Sequence, residues 1–174
     1  MVVFIIYQTV ILLVLAGIKI GKNTRKTMDN IYNNESMACC IILKCLSARP
    51  WNCASLSVLL PLLMDTATSK MLLQSTSFQE IDTNHRTILA FNKKYYDFLP
   101  IFSNAIVLLV QSELIKLQND KDYALTNQGE VVSKNLYSID SKRLQILIHN
   151  ASVLMDKLQN VSILELYKTL RIRL

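Results

Sequence analysis

The scarcity of helix-breaking residues is the feature that most constrains how this chain folds. Between residues 29 and 174 the sequence has one glycine, Gly129, and three prolines, Pro50, Pro61 and Pro100. Helices tolerate glycine and proline least, so their scarcity favours helices over sheet and long loops. The body of the chain is therefore predicted to be mainly α-helical.

The first 28 residues differ from the rest of the chain. Residues 2–18 are uncharged and largely apolar, and about 17 to 20 apolar residues are enough to span a bilayer. Four basic residues then precede Met28, so an inner-membrane anchor at 2–18 would leave the body in the cytoplasm. The alternative is that translation starts at Met28. In both cases residues 29–174 are predicted to form a single cytoplasmic domain.

The charge distribution does not indicate a protein that coats nucleic acid. The net charge is +6, but four of the 19 basic residues precede Met28, whereas all 13 acidic residues follow it. Residues 29–174 thus have 15 basic and 13 acidic residues, a difference of +2. A nucleic-acid-coating protein would instead spread a basic surface over its folded part.

The spacing of apolar and capping residues predicts the order of the elements. Helices are predicted at about 35–47, from 53 across Pro61, at 65–73, 81–98 and 101–113, after Gly129 to about 136, at 141–159, and after the cap Ser162. Pro61 is expected to kink or restart its helix, and Pro100 to begin a new one, so that two helices meet at Leu99. The apolar stretch 56–73 is predicted to be the central buried helix and turn.

A β-hairpin is predicted at residues 114–126. Ile115 and Leu117 alternate with polar residues, a polar turn follows, and Tyr123 and Leu125 alternate again. Helix, helix, hairpin is the order of a winged-helix-like unit, which would cover about residues 81–126. The predicted fold class is mainly α with a small β-hairpin, a helical domain that contains this unit.

The patterns of the titratable side chains indicate packing and capping roles rather than catalysis or metal binding. Four cysteines lie close together without the spacing of a zinc site, and we interpret them as reduced thiols packed like small apolar residues. They are Cys39, Cys40, Cys45 and Cys53. Asp65, Glu80, Asp120 and Asp122 stand where helix caps and turns use carboxylates. The sequence therefore predicts no catalytic residue, no cofactor, no metal site and no enzyme.

Two stretches of the sequence resemble a known family. YNNESMACCIILKCL, followed by SLSVLLPLLMDTATSKML, is similar to the middle component of three-component ABC (ABC-3C) systems, the small C subunit of Lamassu-type bacterial anti-phage defence. The resemblance extends over residues 31–173. It includes the Leu-Pro-Leu block at 60–62, the hairpin region at 106–125 and the tail at 166–173.

The resemblance implies a non-enzymatic accessory or adaptor subunit. Such a subunit would dock on an SMC/Rad50-like ATPase, help to hold or regulate a nuclease-like effector, meet DNA only through the complex, and bind no small-molecule substrate. Apolar residues in the matching stretches are the candidate core or partner-contact positions. They are Leu59, Leu62, Leu63, Leu170, Ile172 and Leu174.

The alternative function is that of a winged-helix DNA-binding regulator. The helix at 101–113 would then enter the major groove. Lysines near the hairpin and on the preceding helix would be its phosphate contacts. These candidates are Lys93, Lys94, Lys116 and Lys121.

Overall fold

A computed structural model describes residues 35–81, 83 and 85–173 of the chain. The predictions for the segment 2–18, for a start at Met28 and for Leu174 lie outside these residues. In chain order the described helices are α1 (Glu35–Ala48), α2 (Cys53–Met64), α3 (Thr66–Gln74), α4 (Arg86–Leu89), α5 (Phe91–Gln111), α6 (Asn127–Asn135), α7 (Lys142–Leu158) and α8 (Ile163–Thr169). The strands are β1 (Trp51–Asn52), β2 (Ile115–Gln118) and β3 (Asp122–Leu125), and a 3-10 turn, Leu136–Ser138, connects α6 to α7.

The centre of the fold is formed by α1 and α2. Every residue of α2 from Ser55 to Met64 is buried, and Pro61 lies inside this helix. The helix α1 packs against α5, α6 and α7, while α2 packs against α5 and α7. Helices that are apolar on all sides belong in the middle of a bundle, because each side needs a partner. The prediction of a mainly helical fold around this stretch is confirmed.

Polar side chains cap the first turn of several helices. Asp65 accepts a hydrogen bond from the Thr68 backbone at 2.9 Å and begins α3. Ser141 and Ser162 cap α7 and α8 in the same way. These caps satisfy backbone N–H groups that have no partner within the helix. The predicted starts of α3 and α8 are confirmed, whereas α7 is capped by Ser141 and not by Ser138 or Asp140, which the sequence also offers just before it.

The largest departure from the predicted order is α5, a single helix that runs through Pro100. The prediction that two helices meet at Leu99 is wrong, and the helix before α5 begins only at Arg86. The buried and half-buried side chains of α5 keep a helical spacing across the proline: Phe91, Tyr95, Phe98, Phe102, Ala105 and Leu109. Pro100 is exposed on the other side, so it removes one backbone N–H but leaves this apolar stripe intact.

The hairpin is confirmed and belongs to a three-stranded antiparallel sheet. In β2 and β3, Ile115 lies opposite Leu125. The strand β1, which lies between the helices predicted at 35–47 and from 53, pairs with β3 and gives the order β1-β3-β2. Its Trp51 donates a hydrogen bond from Nε1 to the Cys45 carbonyl at 3.3 Å, and the Arg49 guanidinium lies 3.8 Å from the indole centre. These contacts connect the sheet to the end of α1.

A winged-helix-like unit confined to residues 81–126 is not confirmed. One long helix replaces the predicted helix pair, and the third strand of the sheet comes from Trp51–Asn52, before this segment. The strand β1 is only two residues long, and its partner β3 is distant in the sequence. The local sequence therefore gives little sign that β1 is a strand.

In the part of the chain that the structure describes, no single helix is long and apolar enough to cross a membrane. Among the described helices, α2 and α3 reach such length and composition when they are taken as a pair, and they meet at a 95° bend.

Candidate functional site

An apolar groove of about 710 Å³ lies between α3 and α7. Buried Leu63 lies at its base, and Ile146 on α7 exposes 59% of its surface beside it. The lining residues are Leu63, Thr66, Ser69, Lys70, Leu73, Gln74, Arg143, Ile146, Leu147 and Asn150. The volume lies in the range of roughly 300–1,000 Å³ that is usual for ligand sites.

The groove has one cation on each wall. Lys70 comes from α3 and Arg143 from α7. Among the described residues that line the groove, none is acidic. Of these two cations, Arg143 already has an interaction within the chain, and Lys70 is exposed.

The N-terminal end of α3 is held by an ion pair with α5. Lys94 Nζ lies 2.6 Å from Asp65 Oδ2, and both side chains are about three-quarters buried. Burial raises the pKa of the Asp65 carboxyl, but hydrogen bonds from Lys94 and Thr68 more than offset this and leave the pKa below its ordinary value of 3.8. The ionised carboxylate thus stabilises the start of α3 and its contact with α5.

This lowered pKa predicts a pH-dependent contribution to stability. Asp65→Asn keeps a capping side chain but removes the charge, and we expect it to cost about 1 kcal/mol at neutral pH. The cost should shrink as the pH falls below 3.8, because the wild-type carboxylate is then protonated as well. Urea denaturation of both proteins between pH 7 and pH 2.5 measures this difference.

Asp156→Asn, at an exposed position on α7, is the control and should change stability little at any pH. A cost of Asp65→Asn that stays constant over the whole pH range would contradict the assigned role of the carboxylate.

The C-terminal end of α3 is held by α7. Lys157 Nζ donates hydrogen bonds to three carbonyl oxygens, those of Leu72 at 3.0 Å, Leu73 at 3.0 Å and Ser75 at 2.6 Å. These carbonyls end α3, where a cation is favoured by the helix dipole. In addition, Asn150 Nδ2 on α7 lies 3.3 Å from Ser69 Oγ on α3. The two walls of the groove are thus cross-connected.

Replacing Lys157 by methionine should destabilise the protein by about 1.5–3 kcal/mol, since three carbonyls lose a charged donor. Amide hydrogen exchange in α3 should also become faster, because its last turn loses its connection to α7. Lys142→Met, at the exposed first residue of α7, is the matched control and should change stability by less than about 0.5 kcal/mol. Equal effects of the two variants would contradict the assigned role of Lys157.

The predicted core or contact leucines lie in the core. Leu59, Leu62, Leu63, Leu170 and Ile172 each expose 8% of their surface or less. Because these five side chains are buried inside the chain, they are core residues. None of the five is exposed in a way that supports a contact with a partner. Only Leu63 reaches a candidate site, at the base of the groove.

The tail that carries Leu170 and Ile172 is packed on α5. The backbone N–H of Arg173 donates to Asn92 Oδ1 at 2.8 Å, and the Tyr96 hydroxyl donates to the Arg173 carbonyl oxygen. These two contacts hold the tail on the first half of α5, and they explain why its apolar side chains point into the core.

The four predicted phosphate contacts do not come together. Lys94 is paired with Asp65. Lys93 is exposed near the start of α5, whereas Lys116 and Lys121 are exposed on the hairpin beyond its other end. About 27 Å of helix separates Lys93 from the last residue of α5. These lysines therefore form no continuous phosphate-binding surface.

The second half of α5 exposes few side chains that can read bases. Its exposed residues include Val107, Leu108 and Val110, with 41% to 51% of their surface accessible. Its Asn104 amide donates to Glu35 Oε1 at 3.2 Å. Valine and leucine cannot donate or accept hydrogen bonds at base edges, so this face is unsuited to sequence readout in the major groove.

The candidate nucleophiles are buried or have high pKa values. Burial raises the pKa of the Cys39, Cys40 and Cys45 thiols to about 12, and it also raises the pKa of the Tyr167 hydroxyl, which lies beside Tyr95, to about 12. The interpretation of these three cysteines as packed thiols is confirmed, whereas Cys53 is exposed. Within residues 35–81, 83 and 85–173, no group of His, Cys, Asp or Glu is placed to hold a metal ion.

Sequence reasoning missed the groove. The one available signal was Ile146, an apolar residue outside the stripe by which α7 packs on the core. The stripe itself consists of Leu144, Leu147, Ile148, Ala151, Leu154, Met155 and Leu158. An apolar residue outside the stripe indicates a groove only when the helix beside it is known.

Comparison with known families gives the class of protein to which this helical fold belongs. Residues 37–174 match the model of middle component 3 of ABC three-component (ABC-3C) systems. The chain belongs to this family, and the resemblance to an ABC-3C middle component is confirmed. No curated protein and no solved structure matches the chain.

Proposed function

We propose that the chain is a non-enzymatic accessory subunit of a cytoplasmic ABC-3C complex. It docks on an SMC/Rad50-like ATPase and helps to hold or regulate a nuclease-like effector, as in Lamassu-type anti-phage defence. The observation that carries the proposal is the family match over residues 37–174, which includes nearly all of the described fold.

The roles of the titratable side chains support a non-enzymatic subunit. Asp65 caps α3 and pairs with Lys94, and the Lys157 ammonium group is bonded to backbone carbonyls. Burial holds the buried thiols in their neutral, unreactive form at neutral pH. Asp65 and the buried thiols thus have roles in folding.

Exposed apolar side chains support a binding role. Val107 and Val110 lie one turn apart on α5, with Leu108 between them, and Ile146 is exposed at the groove. Apolar side chains that neighbour one another on a surface are typical of protein–protein contact sites.

Affinity purification tests the proposal. The full chain, tagged and expressed together with the other genes of its own operon, should retain the ATPase through washing at moderate salt. Deleting the gene should abolish phage protection while the ATPase and effector are still produced. Recovery of the chain free of the ATPase, with protection unchanged after deletion, would contradict the proposal.

A further inference from the structure

We propose that the uncharged apolar segment 2–18 packs on an exposed apolar face of α5 when no partner subunit is bound. This α5 face consists of Val107, Leu108 and Val110, which expose 51%, 41% and 45% of their surface. The inference goes beyond the proposed function, because it assigns an occupant of this face from the same chain. A partner subunit that uses the α5 face would have to displace the segment first.

Both sides of this contact gain free energy by leaving water. The side chains of the α5 face neighbour one another, since Val107 and Val110 lie about one helical turn apart and Leu108 is adjacent to Val107. Segment 2–18 is largely apolar as well. Packing the segment on the face removes apolar area of both from water, which is the main favourable term in contacts of this kind.

Neither side of the contact carries a charge. The sequence has no Asp, Glu, Lys, Arg or His from Phe98 to Ser112, and none in segment 2–18. Burying a charge without a partner is costly, whereas this contact leaves no charge to be desolvated. The α5 face therefore suits an uncharged apolar segment better than a charged one.

The helix that follows the segment begins close to the α5 face. Glu35, the first residue of α1, accepts a hydrogen bond at Oε1 from the Asn104 amide of α5 at 3.2 Å. One turn further along α1, Cys39 Sγ lies 3.7 Å from the Ala105 carbonyl oxygen. Asn104 precedes Val107 and Leu108 by one turn of α5. The point at which residue 34 joins the described fold is thus near this face.

The chain between the segment and α1 is long enough to bring the two together. Residues 19–34 separate them, and a chain spans at most about 3.3–3.6 Å per residue, so this link reaches roughly 50 Å. The second half of α5 is only about 16 Å long. Because the segment and the face belong to one molecule, their contact does not depend on protein concentration, which favours the segment over a second copy of the chain.

Site-specific photocrosslinking identifies the occupant. The full chain with Val107→p-benzoylphenylalanine is purified alone without detergent, irradiated, and analysed by gel electrophoresis and mass spectrometry. We expect a product at the mass of one chain, in which the crosslinked peptide comes from residues 2–18. A product at the mass of two chains, a crosslink to lipid or the absence of a crosslink would overturn the proposal. A chain that stays in the membrane fraction would overturn it as well.

The control places the same photoreactive group on another part of the surface. Leu164 on α8 is 76% exposed. This helix lies beside the first half of α5, where the Tyr167 and Tyr95 ring centres are 6.4 Å apart. Leu164→p-benzoylphenylalanine should give no crosslink to residues 2–18. Equal crosslinking from both positions would show that the segment does not prefer the α5 face.

A charged variant of the segment tests the physical basis of the contact. Leu12→Asp combined with Leu13→Asp, in the chain with Val107→p-benzoylphenylalanine, should lower the crosslink yield at least about fivefold, because carboxylates would lose their hydration at an uncharged face. Lys22→Asp, outside the segment, should leave the yield unchanged. An equal yield from all three proteins would contradict the proposal. None of these measurements involves a partner subunit, so they can fail while the proposed function stands.

Discussion

Replacing Leu62 by alanine is expected to lower the free energy of unfolding by about 2–5 kcal/mol. Leu62 has no exposed surface and lies in α2, which packs against α5 and α7. Truncation removes three carbon atoms from a side chain that is enclosed by the core, and surrounding helices cannot fully collapse into the space. Equilibrium denaturation followed by circular dichroism measures the change.

This variant also distinguishes the core role of Leu62 from a role in partner binding. Leu164→Ala, at an exposed position of α8, is the control and should change stability by less than about 0.5 kcal/mol. A Leu62→Ala protein of wild-type stability that no longer bound its partner would contradict the core assignment. It would place this leucine at an interface instead.

Replacing Gly129 by alanine is expected to destabilise the protein, although the same change inside an ordinary helix stabilises it by about 1 kcal/mol. A Cβ atom at this position would lie 2.0 Å from the carbonyl oxygen of Leu114 and 3.3 Å from the Leu125 side chain. The Leu114 carbonyl cannot easily move, because it accepts a hydrogen bond from the Thr126 backbone at 3.1 Å. The clash should cost about 3 kcal/mol or more, at the upper end of overpacking effects.

The control for this variant is Glu130→Ala on the next residue of α6, which is exposed. It should change stability by less than about 0.5 kcal/mol, so that the difference between the two variants reports the contact at Leu114. A Gly129→Ala protein that melted above the wild type would show that α6 does not pack closely on the segment before β2.

Elements determined by local chemistry could be predicted from the sequence. Asp65, Ser141 and Ser162 begin helices because their side chains accept from backbone N–H groups three residues on. The stripe of α7 and the alternation in the hairpin follow from helix and strand periods. Each of these signals lies within about twenty residues, so no knowledge of the tertiary fold is needed.

Features that depend on distant residues could not be predicted. Pro100 has the local signature of a helix start, but the apolar stripe on the buried side of α5 continues past it. Similarly, Lys94 and Lys157 look like surface cations in sequence, yet their partners lie 29 residues and 82 to 85 residues away. The groove itself combines α3 with α7, which are far apart along the chain.

The family assignment came from the apolar stretch around Pro61 and was confirmed over residues 37–174. That stretch forms the core rather than a contact surface, since α2 is buried from Ser55 to Met64. Resemblance between buried residues identifies a fold, because packing constrains them, whereas the groove forms only where Lys70 on α3 and Ile146 on α7 come together in the folded chain. This explains why the family was predictable and the groove was not.

The most direct test of the proposed function is the mass of the complex in solution. The full chain of 19.9 kDa and the ATPase of its operon are purified separately, mixed at micromolar concentration and separated by size exclusion with light-scattering detection. We expect one peak that contains both proteins and exceeds the mass of the ATPase by at least one copy of the chain. Two separate peaks, with the ATPase at its own mass, would contradict it.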